Sequence, residues 1–284
     1  MSELTDEYLP PVAVGGVGGS GTRLVAQCLR EAGFFIGSDL NGAYDNLWFT
    51  LLFKRIEILN STEYEFKELV DIFFKGMNGS RKFTATQIHL INELASLDRE
   101  QHPATWLKER AKSLLSEKQI IKPNVRWGWK EPNTHIVIDR LKKNIPNMKY
   151  IHVMRNGLDM AHSTNQRQLK LWGEHFIGSK VPVLPYYSLM YWRIVHQRIS
   201  EICDSMGENF LLLNYDDFTL HSEKGVKELL QFLNVDVTGT QMNRLSNLIK
   251  PPESIGRFKR HGINIFDAFD VAFTKHSGFT TDME

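Results

Sequence analysis

Nine consecutive residues, Gly15-Gly16-Val17-Gly18-Gly19-Ser20-Gly21-Thr22-Arg23, constrain this chain more than any other stretch. The run that leads into them, 12–17 (VAVGGV), reads as a short buried strand entering a tight turn. Beyond them Leu24, Val25, Cys28, Leu29 and Ala32 recur at helical spacing, with Gly33 as the stop. A strand that passes into a helix through glycines aims several backbone N–H groups at one point, and the helix start adds its unpaired donors and positive end. Phosphate suits such a cradle. Ser20 and Thr22 offer hydroxyls to it, and Arg23 a charged fork.

Three further strands are expected, each followed by a helix or loop: 126–130 (RWGWK) before a helix near 134–144, 149–154 (KYIHVM) before one near 157–168, and 209–214 (NFLLLN) before one near 222–233. Strands alternating with helices predict an α/β fold with a parallel sheet covered on both faces. Residues 45–120 carry apolar positions at three- and four-residue spacing and read as a helical insertion, broken most clearly at Asn78-Gly79-Ser80. The stretch 172–185, with Gly173, Gly178, Pro182 and Pro185, is the expected mobile loop. No repeat or linker divides the chain, so 1–284 is read as one domain.

The formal net charge of +1 gives no global field that would select nucleic acid or an anionic membrane, so any anion site must be local. Cys28 and Cys203 are too few and too isolated for a disulfide framework or a metal site, and the ten histidines show no ligand spacing; no metal is expected. The N-terminus, MSELTDEYLPP, lacks a basic segment followed by an apolar run, and no stretch approaches a membrane span. A reduced, cytoplasmic setting is the expectation. Oligomeric state is not legible.

The glycine loop fits three patterns. Gly16 to Gly21 has G-x-x-x-x-G spacing, but Thr22 stands where a nucleoside triphosphatase needs its lysine. Gly16-x-Gly18-x-x-Gly21 fits the dinucleotide fingerprint, with Phe34-Phe35-Ile36 and Asp39 as second strand and ribose acid, which keeps an NAD(P)-dependent oxidoreductase as the alternative. Ser20-Gly21-Thr22 opening a helix resembles the 5′-phosphosulfate loop of the sulfotransferases. It departs from them at Gly19, where that family usually has lysine or arginine. A nucleotide-binding homologue with weakened catalysis is therefore a further alternative.

The segment from Tyr150 to Ser163 (YIHVMRNGLDMAHS) separates these readings. Arg155 leaves the carboxyl end of a strand, where parallel sheets bind ligands. Ser163 follows eight residues later, about two turns along the expected helix. An arginine grips phosphate with two parallel bonds, and serine adds a donor. This spacing strongly resembles the sulfotransferase 3′-phosphate motif, and neither a dehydrogenase nor a kinase requires it. Trp127-Gly128-Trp129-Lys130-Glu131-Pro132, Asn214-Tyr215-Asp216-Asp217-Phe218 and Ser254-Ile255-Gly256-Arg257-Phe258 resemble three further family segments, in family order. The resemblance runs from about 12 to 258, while 40–120 matches nothing nameable.

It implies a P-loop-like sulfotransferase architecture with 3′-phosphoadenosine 5′-phosphosulfate (PAPS) as donor and 3′,5′-adenosine bisphosphate as product. Gly18, Gly19, Ser20, Gly21, Thr22 and Arg23 are then expected at the 5′ end. Arg155 and Ser163 belong at the 3′-phosphate, with Ser254 and Arg257 closing over it. Lys130 is expected at the bridging oxygen and the sulfuryl group. A hydroxyl acceptor needs a general base; Asp39 is the first candidate and Asp45 the second, followed by His89, His135 and Glu131. Most of Trp127, Trp129, Trp172, Tyr186, Tyr187 and Trp192 are expected in the core, with the remainder lining an acceptor cleft or stacking on adenine. The acceptor itself, a hydroxyl or amine, is not legible.

Overall fold

The computed structural model describes residues 8–79, 83–116, 121–122 and 124–283, so Ser80 of the expected break and the first seven residues lie outside it. The chain runs β1 (Val12–Gly16), α1 (Thr22–Glu31), α2 (Leu47–Phe53), α3 (Glu63–Asn78), α4 (Ala85–Ser96), α5 (Ala104–Ser116), β2 (Gly128–Lys130) and α6 (Ile138–Asn144). It continues through β3 (Lys149–Met154), α7 (Gly157–Ala161), α8 (Arg167–Ile177), α9 (Pro185–Cys203), β4 (Phe210–Asn214), α10 (Tyr215–Leu220), α11 (Ser222–Leu233), α12 (Gly239–Leu248) and α13 (Ala268–His276).

The four strands form one parallel sheet in the order β2-β1-β3-β4, flanked by helices. Successive side chains of a strand point to opposite faces, and β1 divides accordingly. Val12 and Val14 pack with Val25 and Leu29 of α1 and with Val226 and Leu229 of α11, whereas Ala13 joins the opposite core of α2, α3 and α9. That second core is aromatic. Phe49 and Phe73 close on Trp129 of β2, with ring centroids 6.0 and 5.2 Å away. The helices between α1 and β2 thus hold the strand whose end carries Lys130.

Three sequence expectations require correction. Phe35 pairs with Trp127, on the far side of β2 from β1, so 34–36 does not form the strand next to β1 that the dinucleotide pattern needs. Asp39 accordingly does not stand where a ribose acid would. The helix after β3 ends at Ala161 rather than continuing to 168, because Gln166 Nε2 takes the carbonyls of Met160, Ala161 and Ser163. Finally, Trp172 and Gly173 are buried within α8, and only 178–184 forms a connection there.

Both cysteines are buried and free, and burial pushes their thiols up to about 12. Among the described residues no helix is long and apolar enough to cross a membrane, and no group of three metal-ligating side chains gathers.

Candidate functional site

The glycine loop turns as its composition requires. Ser20 N–H donates to the Val17 carbonyl at 3.0 Å, and Leu24 N–H to Gly21 at 3.0 Å. Gly19 and Gly21 have φ near +98° and +100°, the left-handed region where a side chain is strained. A Cβ on Gly21 would also overlap the ring of Tyr215. The Gly19 departure is therefore part of the turn, and a lysine or arginine in its place would carry strain. Thr22 is buried at the start of α1, whose first amides precede any intrahelical acceptor, while Arg23 is exposed. Ser20 is buried, and its Oγ has no hydrogen-bond partner among the described residues.

Residues 155–163 leave the same sheet edge, because β1 and β3 are neighbours paired through Gly16 and Val153. Arg155, 9% exposed, sits just beyond β3. Its Nη2 donates to Ser254 Oγ at 2.7 Å, its Nε lies 3.8 Å from Asp216 Oδ1, and its guanidinium stands 5.5 Å from the Tyr215 ring. Tyr215 therefore touches both the glycine loop and the arginine. Ser163 lies in the turn past α7, where its Oγ accepts from Asn165 N–H at 3.2 Å. A Cβ on Gly19 would be 3.8 Å from that oxygen, so the loop and the 155–163 segment face each other directly.

The 254–258 segment is clamped to this edge. Buried Asp159 accepts from Gly256 N–H at 2.8 Å and Phe258 N–H at 3.0 Å, and Arg257 reaches the His162 carbonyl at 3.3 Å. Burial pushes the Asp216 carboxyl up to about 6; Arg155 opposes the shift and Asp159 adds to it.

A second cluster forms at the end of β2. Lys130, 2% exposed, makes an ion pair with Asp45 Oδ1 and donates to the Ala43 carbonyl at 3.1 Å. Asn41 builds the loop that presents Asp45. Its Oδ1 accepts from Ala43 and Asp45 N–H at 2.8 and 3.0 Å, and its Nδ2 donates to Asp45 Oδ2 at 2.8 Å. Tyr44, at φ 63°, takes a strained left-handed conformation to complete the turn. Asn46 N–H then bonds the Lys130 carbonyl at 2.7 Å, bolting the loop to the strand.

The other base candidates are engaged with other partners or lie apart from Lys130. Asp39 pairs with Arg110 at 2.9 Å. Glu131 is buried, accepts from Asn133 N–H and Nδ2 and stands 3.7 Å from Lys54; burial raises its pKa. His135 is buried against Gln168 and lowered by burial to about 3, and His89 is exposed on α4. Trp127, Trp129, Trp172 and Trp192 belong to the core, while Tyr186 and Tyr187 are half-buried. Sequence reasoning missed Asn41 and the contact of Tyr215 with Gly21, which no local signal marks, and it read Asp159 as part of the motif from Arg155 to Ser163 without foreseeing its hold on 256–258.

Comparison with known proteins bears on the family and the fold. A family model described as "Sulfotransferase family" matches residues 10–239. Among solved structures, the "Sulfotransferase Domain from the Synechococcus PCC 7002 Olefin Synthase" superposes with a TM-score of 0.53 at 14% identity, over 97% of this chain and 96% of that one. The "Sulfotransferase Domain from the Curacin Biosynthetic Pathway" gives 0.52 at 15% identity, over 97% and 100%. At these identities the likeness shows the fold alone. No curated protein sequence matches.

Proposed function

The chain belongs to the sulfotransferase family, and on that premise we propose that it moves a sulfuryl group from PAPS to a hydroxyl acceptor by in-line displacement. The observation that supports the reading is the approach of Ser163 Oγ to Gly19, 3.8 Å from where a Cβ on that glycine would stand, as expected if one nucleotide spans the glycine loop and the 155–163 segment. The amides of 18–22, with the hydroxyls of Ser20 and Thr22 and with Arg23 close by, are assigned to the 5′ end. Arg155 and Ser163, with Ser254 and Arg257 closing over them, are assigned to the 3′-phosphate. With Gly19 supplying no charge, the cation at the reacting end is Lys130.

Sulfuryl transfer forms an acceptor O–S bond as the S–O bond to the nucleotide breaks, and the electron pair stays on the leaving oxygen. Catalysis then consists of positioning and of a cation at that oxygen. Lys130 supplies the cation. Asp45, held by Asn41 beside Lys130, is better placed than Asp39 to take the acceptor's proton. A reducing, cytoplasmic setting suits two buried free thiols.

A thermal-shift panel of 3′,5′-adenosine bisphosphate, NAD, NADP and ATP tests the reading. A ligand at 100 times its Kd stabilises by about 2.7 kcal/mol. The bisphosphate should give that stabilisation and NAD and NADP none; the reverse result overturns the proposal.

A further inference from the structure

The two places assigned to the nucleotide lie on separate strand–loop units, and one short segment, 165–168 leading into α8, touches both. Residues two apart at a helix start point to nearly opposite sides of its axis. Gln166 and Gln168 divide in this way. Gln166 reaches back: its Nε2 donates to the carbonyls of Met160 at 3.0 Å and Ser163 at 2.9 Å, while its Oε1 accepts from Ser188 Oγ on α9 at 2.9 Å. Asn165 N–H meanwhile donates to Ser163 Oγ. The turn that presents Ser163 is therefore held from this segment at both its main chain and its hydroxyl.

Gln168 reaches the other way. It is buried, and its Nε2 donates to the Gly16 carbonyl at 3.2 Å, where β1 becomes the glycine loop. Ser20 packs against the same glycine: a Cβ on Gly16 would be 2.7 Å from Ser20 Oγ, and one on Gly18 would be 3.8 Å from Gln168 Cγ. His135 sets the orientation of the amide. With Gln168 Nε2 committed to a carbonyl, Oε1 faces His135 Nε2 at 3.1 Å, so the imidazole carries its proton on Nε2. Burial lowers His135 to about 3, which keeps this donor neutral throughout the ordinary pH range. The helix behind the two glutamines is anchored in turn. Leu169 and Trp172 are buried, and Trp172 Nε1 donates to Asn133 Oδ1 at 2.8 Å, three residues past Lys130.

We propose that Gln166 and Gln168 are positioning residues that set the distance between the two phosphate places. Gln168 holds the glycine loop for the 5′ end through the Gly16 carbonyl, and Gln166 holds Ser163 for the 3′-phosphate. Each acts through the backbone it bonds. The proposal rests on the PAPS reading of the groove, and its test separates the two.

Calorimetric titration with 3′,5′-adenosine bisphosphate and with 5′-adenosine monophosphate reads the ends separately, because only the first carries a 3′-phosphate. Gln168→Met keeps the length of the side chain and loses both hydrogen bonds. It should weaken both nucleotides about tenfold, the scale of one lost hydrogen bond, and leave their affinity ratio within about twofold of the unaltered protein's. Gln166→Met should weaken the bisphosphate about tenfold and leave the monophosphate within about twofold. A residue that only stabilises the fold lowers Tm without this split. The same pattern in both variants, unchanged affinities, or the two patterns exchanged overturns the proposal. Should Gln168→Met not fold, Gln168→Asn, one methylene too short to span both partners, takes its place. If neither folds, or if Gln166→Met does not, the residue is structural and the proposal is likewise overturned. An unaltered protein that binds neither nucleotide contradicts the PAPS reading itself.

Discussion

The two ends of the cleft are built from different kinds of sequence. At the nucleotide end every assigned group before the C-terminal segment sits on a strand–loop–helix unit: the glycines between β1 and α1, Arg155 and Ser163 after β3. At the reacting end Lys130 meets an aspartate 85 residues earlier in the chain, presented by a loop that Asn41 and a left-handed Tyr44 shape. The first end is fixed by what a parallel sheet does with any glycine loop. The second is fixed by a contact that only the complete fold creates, so the two ends should fail differently when cut.

The largest effect is expected at the reacting end. Lys130→Ala should lower kcat by about 10²- to 10³-fold, the usual cost of one donor to a developing negative charge, with bisphosphate affinity held within about threefold. Rapid-mix turnover alongside calorimetry measures both. A loss of affinity matching the loss of rate would erase the distinction between the two ends.

Next comes the loop. Asn41→Ala frees one side of Asp45, and misplaced catalytic groups cost rate before they cost binding. An approximately tenfold fall in kcat with KM and Tm nearly unchanged is expected. A fall in Tm with kcat intact would make Asn41 a purely structural turn residue.

The smallest effect is expected at Asp216, beside Arg155. Asp216 has its carboxyl raised to about 6, so it is neutral below that pH and ionised above it, where its charge offsets Arg155. Asp216→Asn removes that charge. The variant should bind bisphosphate roughly threefold more tightly than the unaltered protein at pH 8, by the scale of a partly screened like charge, and equally at pH 5. The comparison between proteins cancels the titration of the ligand's own phosphates. A difference that stays constant across pH 5 to 8 would remove Asp216 from the site.

The sequence made the parallel sheet, β3 and α11 legible because apolar runs and glycine punctuation are local properties. It also located Lys130 and Arg155, each at the carboxyl end of a strand. It misjudged the helix after β3, since glutamine is a good helix former and nothing local shows that Gln166 folds back onto three carbonyls. It ranked Asp39 above Asp45 because proximity to the first helix was the available guide; Arg110 on α5, which pairs with Asp39, is 71 residues away. Likewise the glycine at position 21 was legible as a turn former, but the tyrosine packed against it comes from α10. The missing information is in each case a long-range side-chain contact.

The most direct test compares the affinities of 3′,5′-adenosine bisphosphate and 5′-adenosine monophosphate, by calorimetry, in the unaltered protein and in Arg155→Ala. If one nucleotide bridges the glycine loop and Arg155, the bisphosphate should bind about 100-fold more tightly in the unaltered protein, as two charge-assisted hydrogen bonds allow. In the variant that ratio should collapse to a few-fold, with the monophosphate affinity preserved. A variant that weakens both ligands equally, or keeps the ratio, would show that the arginine and the glycine loop do not hold opposite ends of the same molecule.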